Sequence, residues 1–219
     1  MLLSKRLKKA YDLVLKGARI VDLGCDHGYL GITLVKNDIA SYAYLVDVNK
    51  SPLEEAKKNV IKYEVSDKCE CILSDGLKNV NGTFDHILIL GMGGLAIIDI
   101  LKAYNLIVET LILSPHKDVY ELRKYLEEIN YEITYETFII DKNKHYFIIK
   151  AIPGESKSNE IEFLFGKYNL THENEEFYDY LKKKISYYEN CLNNSPHAKT
   201  LKEKLDQFYE AKNEYERYN

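Results

Sequence analysis

Arg19-Ile-Val-Asp-Leu-Gly-Cys-Asp-His-Gly-Tyr-Leu30 decides the fold. Arg19 to Leu23 reads as a short buried strand, apolar and β-branched, with polar residues toward its ends. A turn with glycines at Gly24 and Gly28 follows, then a helix from about Leu30 to Lys36. That order leaves backbone N–H groups open at the helix start, where a ligand can rest. A dinucleotide fingerprint needs Gly-x-Gly-x-x-Gly, and here the second and third glycine places hold Asp26 and Tyr29. Asp22 and Asp26 put two carboxylates on or beside the loop, which would repel a pyrophosphate. They attract the sulfonium and ammonium groups of S-adenosyl-L-methionine. The stretch reads as a methyl-donor site.

Outward from it, Ala43–Asp47 reads as a second strand ending in an acid about 20 residues past the loop, where a carboxylate reaches ribose hydroxyls. Ser51-Pro52-Leu53-Glu54 then predicts a helix to about Tyr63, with Ser51 as N-cap and Glu54 closing a capping box. Cys69–Leu73 gives a third strand, followed by Ser74-Asp75-Gly76. Asp75 there either makes a simple Asx turn or lies near the adenine end of the ligand, and its place after strand three favours the ligand. Asp85–Leu90 is a fourth strand, before Gly91-Met92-Gly93-Gly94 and a helix to about Ala103. Three glycines in four residues permit close backbone approach to a flat or bulky group. Leu106–Leu113 makes strand five, ending Ser114-Pro115-His116-Lys117, with a helix through Ile129. Tyr131–Asp141 and Tyr146–Ile152 predict an antiparallel hairpin around a Lys-Asn-Lys turn at 142–144, at the sheet edge.

The flanks differ in character. Residues 1–19 hold Lys5, Arg6, Lys8, Lys9, Lys16 and Arg19 against a single Asp12. Leu3, Leu7, Ala10, Tyr11 and Val14 recur at helical spacing, so one face is apolar and the other basic. Two readings stand: a solvated helix capping the sheet, or a phosphate-contacting patch. After the linker-like run at 153–158, Phe177, Leu181, Ile185, Tyr188 and Leu192 recur at three-to-four spacing, as do Leu201, Leu205, Phe208 and Tyr215. The break at 193–196, with Ser195 as N-cap, predicts an antiparallel helical hairpin with a coiled-coil seam. Its only basic cluster is Lys182, Lys183 and Lys184, either a solvated face or a nucleic-acid contact.

Composition sets the bounds. The 219 residues suffice for one α/β domain (1–153) plus an appended hairpin (154–219), at 46% hydrophobic, 29% charged and net charge −4. No apolar run approaches the roughly 20 residues of a membrane span, and no signal-peptide core opens the chain, so the expectation is a cytoplasmic protein without membrane partners. Cys25, Cys69, Cys71 and Cys191 show no metal-ligand spacing, so no metal is expected.

Leu-Ser-Lys-Arg-Leu (3–7), Asp-Leu-Gly-Cys-Asp-His-Gly-Tyr-Leu (22–30), Ser-Asp-Gly-Leu (74–77) and Gly-Met-Gly-Gly (91–94) together resemble the bacterial tRNA (adenine22-N1)-methyltransferases along essentially the whole chain. The resemblance implies a Rossmann-like class I methyltransferase domain with a seven-stranded, mostly parallel sheet, followed by a C-terminal coiled-coil domain. It implies methyl transfer from S-adenosyl-L-methionine to N1 of adenine 22 in tRNA, leaving S-adenosyl-L-homocysteine; the chain is expected to be a monomer. The resemblance would make Asp22, Gly24, Asp47, Asp75 and Gly91 the cofactor ligands, and Cys25, Gly28, Val48, Gly76, Met92 and Gly93 beside them are further cofactor-site candidates. Asp26, His27 and Tyr29 would face the target base, with His27 alternatively a hydrogen-bonding residue behind it. Ser114-Pro115-His116 departs from the family's Gln-Pro-Asn, so His116 stands in the base-orienting place with a different side chain. Lys5, Arg6, Lys8, Lys9 and Lys182–Lys184 are the tRNA-contact candidates. Two other readings stay open: a methyltransferase for small molecules or proteins, which needs neither the basic helix nor the hairpin, and a non-catalytic cofactor-binding regulator.

Overall fold

The computed structural model describes residues 2–104, 107–195 and 197–219. Seven strands form one sheet in the order β3-β2-β1-β4-β5-β7-β6. They are β1 (Arg19–Leu23), β2 (Tyr42–Asp47), β3 (Cys69–Leu73), β4 (His86–Leu90), β5 (Thr110–Ser114), β6 (Tyr131–Asp141) and β7 (Lys144–Pro153). The first five run parallel, and β7 joins β5 antiparallel, with β6 at the edge. The strand order reverses between β1 and β4, and a ligand crevice opens at such a switch point, beyond the carboxyl ends of the strands. Helices α1 (Lys5–Tyr11), α2 (Tyr29–Lys36), α3 (Lys50–Lys62), α4 (Gly94–Tyr104) and α5 (Val119–Glu128) accompany the sheet. Two apolar cores cover its faces: Ile20, Leu45 and Leu88 pack with α2 and α3 on one, while Val21, Ile87 and Leu113 pack with α4 and α5 on the other. Strands covered on both faces read as continuous apolar runs, which is why β4 is His-Ile-Leu-Ile-Leu. Among the described residues no helix is long and apolar enough to cross a membrane.

Three boundaries differ from the sequence expectation. Helix α3 begins at Lys50 with Asn49 as N-cap and no side-chain capping bond, so Ser51 sits inside the first turn and the capping box does not form. Pro52 still fits, because the first-turn N–H groups lack intrahelical partners, and Glu54 instead pairs with Lys57 at 2.9 Å. Strand five starts at Thr110 rather than Leu106, and residues 105–106 lie outside those described. Ser195 ends a helix rather than starting one, for the next is capped at Ala198. The turn between β6 and β7 is tighter than expected: Asp141 pairs with Lys144 across Lys142 and Asn143, both at positive φ (49° and 63°). That is the geometry of a two-residue hairpin whose twist matches the strands.

The C-terminal helices are α6 (Glu160–Phe165), α7 (Lys167–Thr171), α8 (Glu175–Asn194) and α9 (Lys199–Tyr218). The last two form the expected hairpin, while α6 and α7 were not legible as helices. Phe177, Leu181, Ala211 and Tyr215 of the hairpin pack with Ile161, Phe165, Leu170 and Phe138 in a third core. Phe138 belongs to β6, so the hairpin is seated on the sheet edge rather than held only by its linker.

Candidate active site

The loop after β1 is built so that its backbone crowds a cavity. Gly24 has φ +68°, and a Cβ there would lie 2.7 Å from the Met92 methyl group. Gly91, at φ +94°, would bring a Cβ to 2.9 Å from Arg6 Nη1. Both carry the left-handed backbone that glycine adopts at no steric cost, and a side chain at either would push back the flexible end of Met92 or Arg6.

Two cavities flank this pair. One, of about 470 Å³, is walled by Asp47, Val48, Asn49, Asp75, Gly76, Met92 and the inward face of α4 at Ala96, Asp99 and Ile100. The other, of about 280 Å³, is walled by Arg6, Asp22, Cys25, Asp26, His27, Tyr29 and Leu30. Gly24, Leu90 and Gly91 line both, so they adjoin at the sheet's switch point.

Asp47 is buried, and its Oδ1 accepts from Asn49 N at 2.8 Å while Oδ2 accepts from Asp26 N at 3.1 Å. A carboxylate has about four lone-pair sites, so two remain for a diol. Asp22 is buried as well and accepts from Gly31 N at 3.3 Å. Burial pushes its carboxyl up to about 7, with the Asp47 charge adding to the shift, while the Gly31 bond and the Arg6 charge oppose it. A carboxyl held this way is completed by a cation, which the sulfonium and ammonium of S-adenosyl-L-methionine supply. The two cavities, the glycine approach and this acid pair fit that cofactor.

The shifted carboxyl gives an expected pH dependence. Below pH 7 the free site holds a proton that a cationic ligand must displace. Cofactor affinity should therefore rise about tenfold per pH unit between pH 5 and 7 and level off above it. Calorimetric titration across that range checks it, and Asp22→Asn should abolish the slope.

Asp26 takes φ +53°, a conformation that Asp and Asn tolerate better than most residues, and its side chain is 69% exposed. Its Oδ1 lies 3.5 Å from His27 Nε2, and the His27 and Tyr29 rings stand 5.4 Å apart. These three side chains form one rim of the smaller cavity. Cys25 lines the same wall, and burial pushes its thiol well up, so it is no nucleophile. His116 Nδ1 lies 3.0 Å from Gly91 O. A carbonyl only accepts, so Nδ1 carries a proton and donates to it.

Some expected residues stand elsewhere. Gly28 caps α2 in the left-handed conformation, where a Cβ would lie 3.0–3.3 Å from Leu45, Ala56 and Ile32. Gly93 lies against Lys117 and Asp118. Asp75 lines the larger cavity, and its carboxylate pairs with Lys78 Nζ at 2.6 Å. Lys5 is tied to Glu176 of α8 at 2.5 Å, Lys8 approaches Asp12 at 3.7 Å, and Lys182 pairs with Asp179 at 2.8 Å. Lys9 and Lys184 are half-buried on α1 and α8, and Lys183 is exposed on α8. Arg6, read from sequence as a tRNA-contact candidate, lines the wall of the smaller cavity. Sequence reasoning missed Ala96, Asp99 and Ile100, whose three-to-four spacing on α4 was the available signal. Among the described residues no group of three or more His, Cys, Asp or Glu could hold a metal ion.

Comparison with known proteins gives the family. A family model described as a methyltransferase domain matches residues 3–149. The tRNA (adenine(22)-N(1))-methyltransferase of Bacillus subtilis is 32% identical over 157 residues, spanning 70% of this chain and 66% of that protein. The crystal structure of Streptococcus pneumoniae Sp1610 in complex with S-adenosyl-L-methionine superposes with a TM-score of 0.88 at 29% identity, covering 96% of this chain and all of that one. That of M. capricolum TrmK with S-adenosyl-homocysteine gives 0.83 at 30% identity, covering 100% and 98%.

Proposed function

The chain belongs to the methyltransferase-domain family, among the tRNA (adenine22-N1)-methyltransferases, and on that premise we propose that it methylates N1 of adenine 22 in tRNA. The observation that carries the reading is the pair of adjoining cavities at the switch point, one suited to an adenosine and the other to a charged methionine end beside an exposed aromatic rim. S-adenosyl-L-methionine supplies the methyl group when bound. Asp47 would hold the ribose hydroxyls, Asp22 the cationic end, and Arg6, facing Asp22 across the smaller cavity, the carboxylate of the methionine moiety.

Adenine N1 is already a lone-pair nucleophile, so the protein has no proton to remove before methyl transfer. Its work is placement and charge. A base in a folded tRNA must leave its stack to be reached, and the Tyr29 ring, 41% exposed beside His27, offers a face for it. As N1 becomes methylated the ring turns cationic, and the Asp26 carboxylate on the same rim stabilises that charge. The chain works as a cytoplasmic monomer in this reading.

The test is methylation of a tRNA transcript carrying A22, followed by nucleoside analysis. 1-Methyladenosine should appear with wild type, and replacing A22 by G in the transcript should abolish it. Asp47→Ala should weaken cofactor binding at least tenfold, because it removes a charge-assisted acceptor. Methylation at another base, or none, would reject the substrate assignment.

A further inference from the structure

A third cavity, of about 530 Å³, opens on the other side of Gly91 and Arg6. His116 forms one wall, and the start of β7, with Lys144, His145 and Tyr146, forms the opposite one. Among the described residues no carboxylate lines it. Of the acids around it, Asp141 accepts from Arg6 N at 3.3 Å and Glu176 holds Lys5 and Ile140 N, while Asp22 and Asp26 line the adjoining cavity. The Arg6 guanidinium carbon lies 5.2 Å from the Tyr146 ring centre, so the ring holds this cation at the junction of the two cavities. His145 stacks on Phe138, and its imidazole is held below its usual range by burial and then by the charge of Lys184 on α8. A track of positive charge therefore runs from Lys184 past His145 and Lys144 to Arg6. It ends at the rim where Asp26 and Tyr29 stand.

We propose that this groove between His116 and the β6–β7 turn is the RNA-side subsite. It takes the backbone phosphate of the nucleotide whose base enters the smaller cavity, with Lys144 as its principal contact. The inference rests on the tRNA reading above and deepens it. The groove meets the donor cavity at Gly91 and Arg6, so a nucleotide can span both. Its cations and imidazoles, without a competing acid, suit a phosphodiester. The turn that presents Lys144 is a tight two-residue hairpin fixed by the β6–β7 ladder, so the charge is positioned before RNA arrives.

Lys144 is exposed at a turn, and Lys144→Glu should fold as wild type does and bind S-adenosyl-L-methionine with unchanged affinity. Its affinity for the A22-bearing tRNA should fall about tenfold, with a salt slope shallower by about one, and KM for that tRNA should rise in parallel. Lys144→Arg should restore both. Fluorescence anisotropy of labelled tRNA at several salt concentrations gives the binding arm, and initial rates give the other. Unchanged tRNA affinity and salt slope in Lys144→Glu would overturn the subsite. A wild-type chain that binds the tRNA but leaves A22 unmethylated would instead reject the functional reading, while the Lys144→Glu binding arm still judges the groove.

Discussion

Arg123→Met should lower the unfolding free energy by about 3–5 kcal/mol, the range for breaking a buried ion pair by removing one partner. Arg123 and Glu136 are 2% and 4% exposed. Arg123 Nη2 donates to Glu136 Oε1 at 2.5 Å, and Nε lies 3.2 Å from both carboxylate oxygens. Nη1 donates to Phe163 O at 2.7 Å and Leu164 O at 3.0 Å, satisfying two carbonyls at the end of α6 that have no intrahelical partner. One side chain of α5 thus holds both the edge strand and the first C-terminal helix. Burial raises the Glu136 carboxyl above its usual range even with Arg123 opposing it, so its loss leaves an uncompensated buried acid and two bare carbonyls. Denaturant unfolding measures the loss. Replacing the pair together, as Arg123→Met with Glu136→Leu, should recover much of it, because the desolvation cost then disappears with the charges. Cofactor affinity should survive in the single variant if its fold holds, since neither residue lines the donor cavities. A single variant as stable as wild type would show that the edge strand and α6 do not depend on this ion pair.

That ion pair also shows where sequence reading stopped. Residues 19–30 were legible because strand, glycine turn and helix follow from local preferences, and Asp22 and Asp47 then sit at the carboxyl ends of parallel strands. The family resemblance and the apolar periodicity made the sheet and hairpin legible too. Arg123 and Glu136 lie on different elements, and nothing local in Glu-Leu-Arg-Lys or Tyr-Glu-Thr distinguishes buried charges from solvated ones. The same holds for Arg6 and Lys144, basic residues in basic surroundings, whose place beside Gly91 comes from how α1 and the β6–β7 turn meet the sheet. Ser51 and Ser195 failed for a different reason. Each satisfied a capping preference worth only about 1 kcal/mol, too little to fix a helix start by itself, and the helices begin at Lys50 and Lys199. His86, fully buried with both ring nitrogens unpartnered, read as part of an apolar strand, and burial lowers it to about 4, which keeps it neutral.

Asp26→Asn should cut the rate of methyl transfer about 10²-fold or more while leaving both substrates bound as before. The substitution is chosen for the backbone. At φ +53° an alanine would be strained, whereas asparagine accepts the left-handed conformation and keeps the size and hydrogen-bonding capacity of the side chain. The Asp26 N–H still donates to Asp47 Oδ2, so the ribose-holding acid keeps its place and cofactor affinity should not change. What disappears is one charge on the rim of the smaller cavity. In the free protein that carboxylate is largely solvated and screened, with His27 Nε2 3.5 Å away. Once a base covers the rim and displaces water, the same charge acts through a lower dielectric on a ring turning cationic. The neutral adenine of the ground state gains little from it, so the effect falls on turnover rather than on KM. Single-turnover kinetics at saturating tRNA separate the two. A wild-type rate would remove Asp26 from the chemical step and leave it as a loop residue holding Asp47 through its backbone.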